Sequence, residues 1–422
     1  MRRRAALSVL VGALGGLAGC QTGPPAASST TTRTSVPTAA EDAAARTIVV
    51  DAKNGTADGD GTAEHPYRSL QRGITEAGPG DTVHANPGVY ADSVPVKHGG
   101  EPGNPLTITG PPDAVLTNRD SRGQPLLIRA SHVHLRGLTI DGLVDPDNPD
   151  DPQSYSESPL VDVSPWPESE DYLEDLVIAP HGVGNASAHL IVVQRARNVE
   201  IGPLRVVGLA GANYVLTDEP NRHIGEIVYL GTPPDSYTRE AYPWDTLDQT
   251  RNVHVHHIDN SAAHPHSELV NTKLGTRTIL VEYCTDAGGS QNTEANPAAS
   301  VRFQGYDATL RWCDLRGGHG NGVTVIRAGE DWLENEFDGT VAEPFDPARL
   351  GRDHEIYGNH IAGFDEHAIR LRYVEPDQQV ICGNDIDGTL MGPHGEAFDQ
   401  AACPDGLPEG DGIGHRGGEG SA

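Results

Sequence analysis

Lysine is nearly missing from this chain. Only Lys53, Lys97 and Lys273 occur in 422 residues, which leaves arginine as twenty-seven of the thirty basic residues. Aromatic residues make up only 5% of the chain, with five phenylalanines and four tryptophans, and methionine appears twice. Positive charge is short overall. Sixty acidic residues against thirty basic ones give a net charge of −30 and a pI of about 4.8. Such a surface repels nucleic acid and anionic membranes, so a nucleic-acid partner is excluded. An acid excess with almost no lysine reads as a salt-adapted protein, stable where counter-ions screen its charge. Long apolar runs are scarce too. The one from Ala5 to Ala18 is too short to make a good membrane span.

That run has a different use. Arg2-Arg3-Arg4 precedes it, and Leu17-Ala18-Gly19-Cys20 ends it. A basic start, a short apolar core and small residues before cysteine form a signal sequence. Residues 1–20 resemble a lipoprotein signal, which implies that Cys20 becomes the lipidated first residue. Residues 21–46 are rich in Ser, Thr, Ala and Pro without an apolar period, and read as a flexible tether. The expected location is the cell surface. The protein would be exported and anchored to the outer face of the membrane, touching it through lipid alone.

The body of the chain repeats. Val253 to Ile258, Ile279 to Cys284, Thr309 to Cys313, Glu355 to Asn359 and Val380 to Asn384 form one series, centred on Val255, Val281, Leu310, Ile356 and Ile381. The steps between centres are 26, 29, 46 and 25 residues. A second series interleaves: Gly225 to Gly231, Ser267 to Thr276, Ala299 to Gly305, Gly322 to Arg327 and His367 to Tyr373. A unit of roughly 25 residues, with short strands and Gly/Asn/Asp turns, is a coil of a parallel β-helix. In Ser267 to Thr276, alternation predicts Val270 and Thr272 on one face, with Leu269, Asn271 and Lys273 on the other. Stacking about 4.8 Å apart then turns an outward position into a row. The expected row is Tyr229, Asn271 with Lys273, Arg302 with Gln304, Thr324, and Arg370 with Arg372.

The N-terminal body carries a more specific pattern. A strand at Thr47 to Asp51 is followed by a short helix around Leu70, Ile74 and Ala77, with Ser69 as N-cap. Then come Gly78-Pro79-Gly80-Asp81, Pro87-Gly88-Val89-Tyr90 and Gly103-Asn104-Pro105-Leu106-Thr107-Ile108. This run resembles the entry of secreted right-handed parallel β-helix proteins of the pectate-lyase-like superfamily. The resemblance implies an all-β solenoid over residues 47–390, whose short N-terminal helix covers the open end. Residues 143–188 read as a long acidic insertion interrupting the coils, and Gly329 to Asp353 as a polar one. In the loop around Tyr237 to Asp248, Tyr242 and Trp244 are either sugar-stacking rings or packing. Residues 391–422 read as a closing segment, with a disordered tail from 404. Cys284 and Cys313 occupy one position in adjacent coils and are candidates for a bridge, a stacked thiol pair being the alternative. Cys382 and Cys403 are candidates for a second bridge closing the C-terminal segment. Later coils carry Asn359 and Asn384 where the first two cysteines stand, the pattern of an asparagine ladder.

The middle coils are similar to the polysaccharide lyase family that contains alginate lyases and chondroitinase B. In that family a glutamate five residues before a lysine helps hold calcium, and the lysine is the base. Glu268 and Lys273 have that spacing. The family's next coil carries Arg-His-Gly, where this chain has Arg302-Phe303-Gln304-Gly305. The arginine is displaced by one position and the histidine is missing. The resemblance implies Lys273 as base, Arg302 as partner of a uronate carboxylate, Glu268 and Asn271 as Ca2+ ligands, and Tyr229 as donor to the leaving oxygen. Arg370, Arg372 and Gln304 would contact substrate. The expected partner is an acidic carbohydrate polymer, bound by a monomer and cleaved by β-elimination. Two alternatives stand beside this reading. One is a non-catalytic glycan-binding or surface-structural solenoid. The other is a glycoside hydrolase of polygalacturonase type, on the strength of Gly318-His319-Gly320, although no paired aspartates precede it. His254, His256 and His257 lie on one strand. They read either as a metal site or as exposed strand histidines.

The leader reading is directly testable. Cys20→Ser is expected to abolish incorporation of labelled fatty acid and to move the protein from the membrane fraction to the medium. Undiminished labelling of the variant would refute it.

Overall fold

Each short apolar segment pairs in parallel with its equivalent one coil away. The computed structural model describes residues 44–410, apart from 92, 119–122, 157–158, 218–223, 234–235, 237–243, 245, 289–298, 329–340 and 342–344. The leader, Cys20 and the tether up to residue 43 lie outside the described residues, as do Tyr242 and the last twelve positions. Three all-parallel sheets run through the body. The first has eleven strands, from Thr47–Val50 to Val380–Cys382. The second has ten, from Gly88–Ala91 to Asp385–Asp387. The third has ten, from Val94–Val96 to Leu390–Met391. The chain visits first, second and third sheet in turn and then climbs one coil. The fold is a right-handed parallel β-helix, the hand that parallel crossovers strongly prefer.

Register follows the repeats. Val255, Val281, Leu310, Ile356 and Ile381 are successive partners in the first sheet, so the 46-residue step loops out without breaking the column. In the third sheet Val228, Val270, Val301, Val323 and Ile369 are partners and are wholly buried. Columns of this kind fill the solenoid, each such side chain contributing about 1.5–3 kcal/mol. Leu269 departs from the expected alternation. The strand is only Val270–Thr272, so Leu269 precedes it and turns into the core, fully buried.

The last five corners between first and second sheets each have a left-handed residue. His257, Tyr283 and Trp312 take φ of 50°, 54° and 55°, and Gly358 and Gly383 take 65° and 61°. The left-handed conformation costs a residue with a side chain about 1–2 kcal/mol. Stacking offsets part of it: His257, Tyr283 and Trp312 form a pile with ring centroids 5.1 and 5.0 Å apart. The next residue faces inward and bonds along the axis. Asn359 Oδ1 accepts from Cys313 N–H at 2.9 Å, and Asn384 Oδ1 accepts from Asn359 N–H at 3.0 Å. Gln400 Oε1 closes this ladder on Asn384 N–H at 2.9 Å.

Cys284 and Cys313 are part of that ladder, which corrects the first bridge. Both are buried free thiols. Cys284 Sγ donates to Glu282 O at 3.4 Å and Cys313 Sγ to Arg311 O at 3.3 Å. Stacking brings the two residues into range, while these bonds commit each thiol to its own turn. The second bridge is present: Cys382 and Cys403 are joined with Cα atoms 5.1 Å apart.

The ends and insertions also differ in part from expectation. The helix is Leu70–Glu76, with Ser69 Oγ accepting from Arg72 N–H and Leu70 and Ile74 buried. Residues 143–188 do not interrupt the solenoid. They hold Val161–Val163, Leu173–Ala179 and Gly182–Gly184, one strand for each sheet, because the alternation resumes between enlarged turns. The polar insertion returns through Phe345 and Leu350, which bury against Leu247, Leu274 and Tyr306. Residues 404–410 were expected in a disordered tail. Instead, the bridge at Cys403 holds the chain where Leu407 packs against Trp312, Tyr357 and Cys382.

One buried group gives the fold a pH dependence. His354 is fully buried, stacks on Phe303 with ring centroids 5.2 Å apart, and accepts Ala308 N–H through Nδ1. Burial lowers its pKa from 6.5 to about 4. The folded value lies below the unfolded one, so its stabilisation is complete above pH 6.5 and is lost as pH falls towards 4. His354→Gln is expected to flatten the fall in Tm across that window. An identical acid slope in the variant would count against the assignment.

Candidate functional site

The outer face of the third sheet gathers the predicted site residues. Three-residue strands such as Val228–Leu230 and Val270–Thr272 point two side chains inward and leave the middle one outward. Register then stacks Tyr229, Asn271, Arg302, Thr324 and Arg370, the row expected from the sequence. Lys273 lies just past the strand, on the same side as Asn271. It was expected as an exposed amine but is only 8% exposed. Its Nζ sits 4.4 Å from the centre of the Tyr229 ring and 4.0 Å from Glu226 Oε1.

Glu226 is the hub beneath this row. It is 2% exposed. Its carboxylate accepts Asn271 Nδ2 at 3.0 Å and its own coil's Gly225 N–H at 3.1 Å, and meets His189 Nδ1 at 2.5 Å. Burial alone would raise its pKa. The charge and hydrogen bond of His189, then the charge of Lys273, instead hold it well below the usual carboxylate range. The His189 ring also lies 4.8 Å from that of Tyr229.

A second pair sits one coil on. Glu268 is 1% exposed and meets Arg302 at 2.9 Å, while Ser267 Oγ donates to the same carboxylate. A third lies close by. His266 Nε2 is 3.3 Å from Asp286, which also accepts from Ser300 Oγ at 2.6 Å and Asn260 Nδ2 at 3.0 Å. Both members are buried. Burial would lower His266 and raise Asp286, but their mutual attraction moves each the other way, towards the ion pair.

The wall continues beyond Arg302 into a cleft of about 510 Å³, lined by Arg370 and Arg372 together with Asp365, Glu366, Thr324, Asn321 and His367. Buried Asn321 Oδ1 and Thr324 Oγ1 have no hydrogen-bond partner among the described residues. Gln304 follows the strand Ala299–Phe303 and donates its backbone N–H to Thr272 Oγ1 at 3.1 Å.

Glu268 and Asn271 do not fit the calcium site expected of them. Calcium takes six to eight oxygens. Glu268 is already neutralised by a guanidinium, and Asn271 turns its amide nitrogen to Glu226. Among the described residues no three His, Cys, Asp or Glu side chains gather as metal ligands. That holds also for His254 and His256, on the first sheet, and for His257, at the corner after it. His254 pairs with Glu282 at 2.9 Å, and His256 faces His257 at 3.0 Å. His319 pairs with exposed Asp365 at 2.7 Å. Trp244 is packed rather than presented: buried Arg195 lies 5.1 Å from its ring and 4.9 Å from that of Tyr172.

Glu226, His189, His266 and Asp286 were not found from the sequence. One signal existed for Glu226. Aligning Val228 with Val270 puts Glu226 at the position of Glu268. The histidines and Asp286 come from turns and from another sheet, so no strand alignment reaches them.

No protein-family description matches the chain, and no curated protein does. Solved structures give low-identity likenesses. An alginate lyase from Paenibacillus sp. str. FPU-7 is 17% identical, covering 80% of this chain and 94% of that one, with a TM-score of 0.48. Pectate lyase Pel9A is 10% identical, covering 81% and 80%, also with a TM-score of 0.48. A GH136 lacto-N-biosidase from Eubacterium ramulus is 12% identical, covering 81% and 67%, with a TM-score of 0.41. The likenesses carry nothing about reaction.

Glu226→Gln tests the hub. It keeps the shape and removes the charge that balances His189 and Lys273. A loss on the order of 3 kcal/mol is expected at neutral pH, since one partner of a buried pair is removed. The folded pKa lies below the ordinary 4.5, so the carboxylate's stabilisation is present above that value and is lost as pH falls. The gap between variant and parent should therefore narrow in acid. Urea unfolding across pH would show it, and a gap that stays constant would rule the balance out.

Proposed function

We propose that the outer wall of the third sheet binds a uronate polysaccharide and cleaves it by β-elimination. One observation carries the reading: Lys273, Arg302 and Tyr229 meet on one wall above two buried carboxylates. The cations stand where charge develops on a uronate carboxylate as its neighbouring proton leaves, and they are positioned in advance. With the expected lipid on Cys20, the polymer is met outside the cell.

The roles differ somewhat from those implied by family resemblance. Glu226 at 4.0 Å favours the ammonium form of Lys273. An ammonium cannot take a proton, so Lys273 serves as a cation, with Arg302 holding the carboxylate. Tyr229, whose ring centre lies 4.4 Å from that ammonium, carries the proton. It takes hydrogen from the carbon beside the carboxylate. The glycosidic carbon–oxygen bond breaks, a carbon–carbon double bond forms, and the leaving oxygen recovers the proton from Tyr229. Arg370, Arg372 and Gln304 extend the binding surface along the cleft. No step is routed through calcium.

Both cations are already ion-paired and mostly buried, which favours a second reading: a glycan-binding solenoid without turnover. The two readings separate in one assay. Uronate polymers are screened for unsaturated products by ultraviolet absorbance in high salt. Tyr229→Phe and Lys273→Ala are each expected to lower kcat/KM by about 100-fold or more, with folding checked by circular dichroism. Elimination that survives both substitutions would overturn the site. Tight binding with no unsaturated product from the parent would leave only the binder.

A further inference from the structure

Trp166 is the most exposed tryptophan among the described residues, at 39%. It belongs to Ser164-Pro165-Trp166-Pro167, directly after the third-sheet strand Val161–Val163. Prolines on both sides fix φ and hold the backbone that presents the ring. A turn bond from Ser169 N–H to Trp166 O at 2.9 Å closes the segment behind it. The indole is thus held out rigidly, which keeps the entropy cost of binding low.

Two cations lie over the ring. Lys97 Nζ lies 6.0 Å from its centre and Arg129 Cζ 5.9 Å. Arg129 is itself fixed, with Nη1 and Nη2 donating to the two oxygens of Asp162 at 3.1 and 3.0 Å. Gln124 Nε2 steadies the same carboxylate at 2.6 Å. Lys97 is exposed, in a chain with three lysines.

The location joins this cluster to the site already described. Asp162 is the register partner of Val192, and Val192 of Tyr229. Asp162 therefore stands about two strand spacings, or 10 Å, from Tyr229 towards the N-terminal end of the same outer wall, and Trp166 follows just past that strand. Val192 between them is 8% exposed and charge-free.

We propose that Trp166, with Lys97 and Arg129, forms a distal subsite for one ring of an acidic carbohydrate polymer. The apolar face of a pyranose packs on the exposed part of the indole, and its carboxylate is met by Lys97, the exposed cation of the two, while Arg129 holds the ring in place. This rests on the reading of the wall as a uronate-polymer site, and it adds the end at which the chain is gripped.

The test uses the whole body of the protein. Uronate polymer, a uronate disaccharide and a neutral polymer are titrated against tryptophan fluorescence, and affinity is measured by calorimetry. For the parent, uronate polymer should perturb the emission, and Trp166→Phe should abolish that change. Trp166→Ala should weaken polymer affinity about tenfold, roughly 1.4 kcal/mol, with a smaller effect on the disaccharide. Lys97→Ala should weaken the acidic polymer alone, less so at high salt. Emission and affinity unchanged in folded Trp166→Ala would overturn the subsite. A loss equal for neutral and acidic polymers would overturn its acidic specificity. Uronate binding through Trp166 without any elimination product would leave the subsite standing and remove only the lyase reading.

Discussion

Parallel pairing between equivalent strands of successive coils is the constraint on which everything else hangs. A strand paired with its own equivalent has no freedom of face: shifting it by one residue would put Tyr229, Asn271 and Arg302 into the core and their apolar neighbours into water. Burial of Val228, Val270, Val301 and Val323 therefore decides where the functional side chains stand. The scaffold and the site are two faces of the same short strands.

The second theme is charge handled in buried pairs. The chain carries a large acidic excess, yet His189 with Glu226, Arg302 with Glu268 and His266 with Asp286 lie close together and largely out of water. Such pairs are weak evidence of stability, because desolvation offsets most of the attraction. Gathering them at and beside the wall of the third sheet instead fixes those charges in place before anything binds. Lys273 shows the effect. It is a rare residue in this chain, nearly buried, and held between a carboxylate and an aromatic face.

Much of this was legible in the residues. Apolar centres spaced by about one coil mapped onto actual partners, including across the 46-residue step. The row from Tyr229 to Arg370 also followed from repeat alignment alone. Length misled in residues 143–188, where proline and acid-rich turns hid a complete coil. Proximity misled at Cys284 and Cys313, where hydrogen bonding in the ladder, invisible in spacing, competes with oxidation.

The sequence by itself determined the solenoid, its helical cap, its register and the identity of the outward row, because apolar periodicity and vertical stacking are local, repeating properties. Only the tertiary structure decided what those outward residues touch. Lys273 acquires Glu226 from one coil earlier, Glu226 acquires His189 from a coil before that, and Trp166 returns to the same wall after a proline-bound turn. Those contacts run between coils and out of turns, where no period exists to be read. Solvent exposure and protonation depend on them, and so does the chemistry.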